Sequence, residues 1–321
     1  MSDGPVRIVR GSSGTERWLL TTAIGGDYFE SWSATVRPFW EAYADRHGLG
    51  IAVVVGDVFE LDEPELNGAW QKLLAPRALK SVLGSEFRCV LADTDVVISP
   101  RAPDIFQVVS PGNIGVVSQY RDLPLEYLAL RRRIAFLRRT FMDHNFPLES
   151  ALVAEPRAML QAAGLQEHDD FFCSGVVVVD SLHHAELFAE WYCAAPTGQE
   201  YTAIDWGEEL WLNSCVQGRK DTQWLEYSWQ ALWLYEVATS YPFLYSSEVD
   251  AQVARWCLGS SLLRHHFLHL AGRWEQDLVG RLSPEFPGVS TFIEIAGQIL
   301  LHEAMRLQGT PRGVLLPNSH E

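Results

Sequence analysis

Apolar residues fall into two spacings along this chain. Arg17–Ala23, Gly50–Gly56 and Cys89–Ala92 are short and nearly continuous in Val, Ile, Leu and Ala. Runs of this kind read as strands buried on both faces. Between them, apolar residues recur every three or four positions, the period of a helix with one buried side. Tyr28–His47 is expected to be helical, with Trp32, Val36, Phe39, Trp40 and Tyr43 inward and Gly48 as its stop. Asp27 stands where a cap belongs, and Pro38 is a point of kinking or division. Helices are also expected over Trp70–Leu83 (interrupted near Pro76), Pro124–Phe141, His183–Tyr192, Asp205–Val216 and Ser290–Leu307. Further strands are expected over Ile114–Gln119, Phe171–Asp180 and Leu262–Leu270, whereas aromatic-rich Gln223–Tyr245 has no readable period.

This alternation predicts an α/β fold, a mostly parallel central sheet flanked by helices with right-handed crossovers. No repeat or low-complexity linker divides the chain. The economical organisation is a flexible N-terminus (1–16), a single domain (17–307) with a helical, aromatic-rich C-terminal portion, and a tail (308–321). No GxGxxG follows the first strand and no GxxxxGK[ST] occurs, so neither a dinucleotide site nor a P-loop is indicated.

The pattern breaks most sharply at Val90–Pro100, Val-Leu-Ala-Asp93-Thr94-Asp95-Val-Val-Ile-Ser-Pro. Two acids one residue apart interrupt a buried run. In extended chain such residues point to the same side. Asp93 and Asp95 therefore either converge on a divalent cation at a strand end or turn their side chains to backbone N–H groups.

Charge narrows the partners. With 25 basic and 41 acidic residues the formal charge is −16, which repels nucleic-acid phosphates and argues against nucleic acid as a partner. The exception is the arginine cluster Arg131, Arg132, Arg133, Arg138 and Arg139, either a solvated helix face or a contact for an anionic partner. Five cysteines, an odd number without Cys-x-x-Cys spacing, read as reduced thiols of a cytoplasmic protein. No apolar run approaches the ~18 residues of a membrane span, so no transmembrane segment is expected.

Five segments, in order, resemble the GT-A glycosyltransferases, particularly the retaining enzymes of family 8. They are Thr21–Tyr28 (Thr-Thr-Ala-Ile-Gly-Gly-Asp-Tyr), Trp70-Gln71-Lys72 with Val90–Pro100, Phe172-Cys173-Ser174-Gly175-Val176, Glu208–Asn213 (Glu-Glu-Leu-Trp-Leu-Asn) and His266–Gly272 (His-Phe-Leu-His-Leu-Ala-Gly). Two positions depart from the family pattern. Cys173 stands where Asn is usual, and Glu208-Glu209 where Asp-Gln is usual.

The resemblance implies a GT-A-like domain, with 17–120 binding nucleotide and 121–307 forming the acceptor side. It implies transfer of a sugar from a nucleotide-diphosphate sugar, UDP-sugar by default, to an acceptor the sequence does not identify, with retention of configuration. Asp93, Asp95 and a late histidine would hold Mn²⁺ or Mg²⁺. His269 is favoured by its distance from Gly272, with His266 second and His265 on the same strand. Thr22, Ala23, Asp27, Tyr28, Lys72, Asp93, Thr94 and Gly175 would contact the donor, although Lys72 reads equally as an exposed helix lysine. Glu209, Glu208 and Asp205 are candidates for the acid near the anomeric carbon, or else an ordinary acidic helix face. Two other functions stay open, a nucleotidyltransferase that makes nucleotide sugars and a non-catalytic sugar- or nucleotide-binding protein on the same fold.

Overall fold

The structure, a computed structural model, describes residues 4–25, 27–59, 66, 68–141, 155–196, 208–245 and 249–271. The chain divides into two units, 1–284 and 285–321, and every described residue belongs to the first. Asp205, the helix expected over Ser290–Leu307 and the tail lie outside the described residues.

Seven strands form the main sheet: β1 (Val6–Arg10), β2 (Arg17–Thr22), β3 (Gly50–Val54), β4 (Arg88–Ala92), β6 (Ile114–Ser118), β7 (Phe172–Asp180) and β8 (Thr222–Leu225), in the order β1-β3-β2-β4-β7-β6-β8. A second sheet of three short strands has the order β5 (Val96–Ile98), β10 (Phe267–His269), β9 (Ala231–Leu232). In the main sheet β2, β3, β4, β6 and β8 run one way, and β1 and β7 run the other. The fold is α/β, and its sheet is more mixed than expected. β7, placed between β4 and β6, is antiparallel to both. Its run Val176–Val179 is buried on both faces, and continuous burial carries no information about strand direction.

Three local expectations are corrected. The N-terminus is not loose throughout: Val6–Arg10 is an edge strand pairing Val6 with Val54, its Val6 buried and its Ile8 exposed. The helical stretch after β2 is two helices, α1 (Tyr28–Thr35) and α2 (Arg37–His47), with Pro38 in the first turn of α2, where its missing N–H costs nothing. Asp27 precedes α1 but makes no side-chain cap bond. Leu262–Leu270 is not one strand. A helix, Ala251–Arg264, capped by the Asp250 carboxylate at the Gln252 N–H, runs through Leu262, leaving only Phe267–His269 extended. The buried positions Cys257, Leu258, Ser261 and Leu262 have helical spacing.

Trp70–Leu74 is a 3₁₀ turn leading into α3 (Ala75–Leu83), and β7 leads directly into the helix Ser181–Cys193. Leu73, Leu79, Phe188 and Tyr192 from these elements join Leu20, Leu91, Val116, Val177 and Val179 of the sheet in one apolar cluster. α2 lies against β3 and β5, where the Trp40 indole donates to the Val96 carbonyl at 2.8 Å. Among the described residues no helix is long and apolar enough to cross a membrane, and none of the five cysteines is in a disulfide.

Candidate functional site

The Asp93-Thr94-Asp95 turn lies where the two sheets meet. The Asp93 N–H donates to the Gly175 carbonyl at 3.0 Å, extending the β4–β7 pairing by one residue. The Val96 N–H then donates to the Asp93 carbonyl at 3.1 Å, and the chain re-enters as β5. β10 pairs with β5 so that His269 stands opposite Val96, and the Leu270 N–H donates to the Asp95 carbonyl at 3.0 Å. This register brings the imidazole beside the acid pair. His269 Nε2 is 3.2 Å from Asp95 Oδ1 and 3.9 Å from Asp93 Oδ2. One ligand atom from each of the three residues lies within 4.8 Å of the others.

Gly175 is what allows the ring to sit there. A Cβ at this position would lie 2.2 Å from His269 Cε1, so glycine is required by close approach. Its role in the structure is to seat His269; it does not line the cleft. His265 caps the preceding helix and lies 3.2 Å from Glu236, and His266 packs on Trp229.

Lys72 is buried rather than exposed. Its ammonium lies 2.7 Å from both Asp93 Oδ1 and Glu208 Oε1 and donates to Ser174 Oγ at 3.2 Å. The Ser174 hydroxyl in turn donates to Glu208 Oε1 at 2.7 Å. Glu208 is therefore committed to an ion pair in the cleft wall. Glu209, the first residue of the helix Glu209–Val216, accepts the Ser174 N–H at 3.0 Å and forms no ion pair among the described residues. Asn213, one turn on, holds that helix to the start of β7: it accepts the Phe172 N–H at 2.9 Å and donates to the Phe172 carbonyl at 2.8 Å.

Burial and charge act together on these groups. Burial pushes the Glu209 carboxyl up to about 7, against hydrogen bonds from Cys173 and the Ser174 N–H. Burial also lifts Asp93, despite Lys72 and His269 beside it. Asp95 goes down, because the charge and hydrogen bond of His269 outweigh burial. His269 goes up, its burial outweighed by the charges of Asp95 and Asp93 and the hydrogen bond to Asp95. Burial drives the Cys173 thiol well above its ordinary value, so it is not a thiolate.

All these groups open onto one cleft of about 840 Å³, whose lining includes Thr22, Tyr28, Thr94 and both glutamates. Ala23 and Asp27, expected to contact a donor, are not among its lining residues. Ala23 is buried, its N–H donating to Val54 at 2.7 Å. The donor set suits a small divalent cation. It offers one oxygen from each aspartate and one imidazole nitrogen, the hard and borderline ligands that Mn²⁺ accepts. Lys72 occupies Asp93 Oδ1 and leaves Oδ2 on the His269 side.

Sequence reasoning missed Ser174, which links Lys72, Glu208 and Glu209, and Gln230, whose amide is 3.1 Å from His269 Nδ1. Ser174 adjoins the singled-out Gly175. Gln230 lies in the stretch without a readable period and carried no sequence signal.

No family model matches the chain, and no curated protein matches it. Solved structures similar to it are glycosyltransferases. One is involved in glycosylation of the major capsid of PBCV-1 (10% identity, 82% of this chain and 96% of that one, TM-score 0.42). Another is the bifunctional glycosyltransferase WbbM (10% identity, 83% of this chain and 47% of that one, TM-score 0.45). A third is the galactosyltransferase LgtC with donor and acceptor sugar analogs (10% identity, 88% of this chain and 95% of that one, TM-score 0.39). With likeness this distant, a functional reading has to come from the side chains of the cleft.

Proposed function

We propose that this protein is a metal-dependent glycosyltransferase that moves a sugar from a nucleotide-diphosphate sugar, with UDP-sugar the default donor, to an acceptor with retention of configuration. The observation that carries the reading is the convergence of Asp93, Asp95 and His269 within 4.8 Å in a cleft that also holds Glu209. Asp93, Asp95 and His269 would hold Mn²⁺ or Mg²⁺, which supplies Lewis-acid neutralisation of the diphosphate as it leaves. Lys72 fixes Asp93 from behind and pairs with Glu208. Thr22, Tyr28 and Thr94 form the wall along which the nucleotide lies. Glu209, which forms no ion pair among the described residues, faces the reacting carbon and either attacks it or stabilises its positive charge. Five cysteines without a disulfide suit a reducing compartment, in keeping with a cytoplasmic enzyme.

The test is product analysis with nucleotide sugars and Mn²⁺. Release of nucleoside diphosphate that stops on chelation is the expected result. Release of pyrophosphate would make the protein a nucleotidyltransferase, and binding without turnover would make it a binding protein. NMR of the product anomer checks the stereochemistry, and inversion would remove the retaining mechanism.

A further inference from the structure

We infer that Gln230 is the positioning residue of the cation site: it fixes which nitrogen of His269 carries the hydrogen and so aims Nε2 at the two carboxylates. The inference rests on the reading of Asp93, Asp95 and His269 as cation ligands. Gln230 is fully buried at the end of the 3₁₀ turn Tyr227–Gln230, just before β9. Its neighbours fix the orientation of its amide. Nε2 donates to the Cys173 carbonyl at 3.0 Å, while Oε1 accepts from the Val176 N–H at 3.3 Å and from His269 Nδ1 at 3.1 Å. The reverse orientation would set oxygen against the Cys173 carbonyl and NH₂ against the Val176 N–H, leaving both mismatched.

An amide oxygen only accepts, so His269 Nδ1 must carry hydrogen. In the neutral ring the lone pair is then on Nε2, the nitrogen 3.2 Å from Asp95. Gly175 makes room for both groups, since a Cβ there would lie 2.2 Å from the imidazole and 2.8 Å from the Gln230 amide. Gln230 thus bridges β7 of the main sheet, through Cys173 and Val176, and β10 of the small sheet, through His269. Such a bond to the far nitrogen sets the ring's tautomer and direction and raises its strength as a ligand. Its loss typically lowers metal affinity by about 10- to 100-fold.

Two measurements test this. The first is ¹H–¹⁵N NMR of His269 in the metal-free wild type with the ring neutral. Hydrogen on Nδ1 is expected, and hydrogen on Nε2 overturns the proposal. The second is calorimetric titration with Mn²⁺ alone of the wild type, Gln230→Glu and Gln230→Leu, each checked for fold by circular dichroism. Gln230→Glu keeps an acceptor on Nδ1 and, as the neutral acid, an O–H to donate to the Cys173 carbonyl, so it should stay near wild-type affinity. Gln230→Leu should bind about 10- to 100-fold more weakly. Equal affinity of a folded Gln230→Leu, or a Gln230→Glu as weak as the expected loss, overturns the proposal. If Gln230→Leu does not fold, the wild-type spectrum and Gln230→Glu decide. A wild type that shows Nδ1–H yet binds no Mn²⁺ overturns the cation reading, and this proposal falls with it.

Discussion

Replacing Glu209 with Gln should make the protein more stable at alkaline pH while disabling it. Burial raises the Glu209 carboxyl from 4.5 to about 7 in the folded state. The native state therefore holds this proton more tightly than the unfolded chain does. Stability falls as pH rises from 4.5 through 7 and is level in this respect above that. A shift of this size corresponds to about 3 kcal/mol. The amide retains an oxygen to accept the Ser174 N–H, a bond of 3.0 Å in the wild type, and removes only the charge. The assay is urea unfolding of both proteins at pH 5 and pH 8, in EDTA so that no cation offsets the carboxylate. The advantage of Glu209→Gln should grow by about 2–3 kcal/mol between the two pH values. Turnover should fall by about 10²-fold, the scale of losing one electrostatic stabiliser. A stability difference that does not change with pH would refute the burial argument, and near-normal turnover would refute the role at the reacting carbon.

Asp95→Asn should abolish Mn²⁺-dependent nucleotide binding in a thermal-shift assay while leaving the unliganded fold intact, because it removes a ligand charge at the surface of the cleft. His269→Ala should weaken Mn²⁺ binding, measured by calorimetry, far more than His265→Ala, since only His269 approaches the acid pair. Gly175→Ala should expel the imidazole from its seat, costing about 1–3 kcal/mol of stability in denaturant unfolding together with most of the metal affinity; unchanged affinity would mean that the ring does not need its observed position. Lys72→Met should destabilise by about 3–5 kcal/mol, the usual effect of leaving buried acids unpaired, and a fully stable variant would show that the Lys72–Glu208 pair is not structural.

The strands β2, β3, β4 and β7 were legible because each is a run of apolar residues buried on both faces. The Asp pair was legible because it interrupts such a run. The direction of β7 was not, since burial alone is blind to it. Nor was the end of the Ala251–Arg264 helix, where Leu262 and Leu263 are separated from the apolar residues of the next strand only by Arg264, His265 and His266. His269 was favoured only through a motif, and its convergence on Asp95 depends on the β5–β10 register, which pairs His269 with Val96 across most of the chain. Lys72 read as either a phosphate contact or a surface lysine, and it is buried, so the second reading falls. Its two partners, Asp93 and Glu208, come from distant segments that no local pattern connects.

That same register sets an order of events during synthesis. Asp93 and Asp95 leave the ribosome early, followed by Glu208 and Glu209, whereas His269 comes last of the three candidate ligands. Until β10 emerges, β5 and β9 have no strand between them to join, and the carboxylates have Lys72 as their nearby counter-charge. A fragment that ends between the last main-sheet strand, Thr222–Leu225, and residue 269 contains the acids and the main sheet but not the imidazole. The cleft is thus completed by a three-residue strand near the end of the described chain, and a truncation there would remove the candidate cation site while sparing the main sheet.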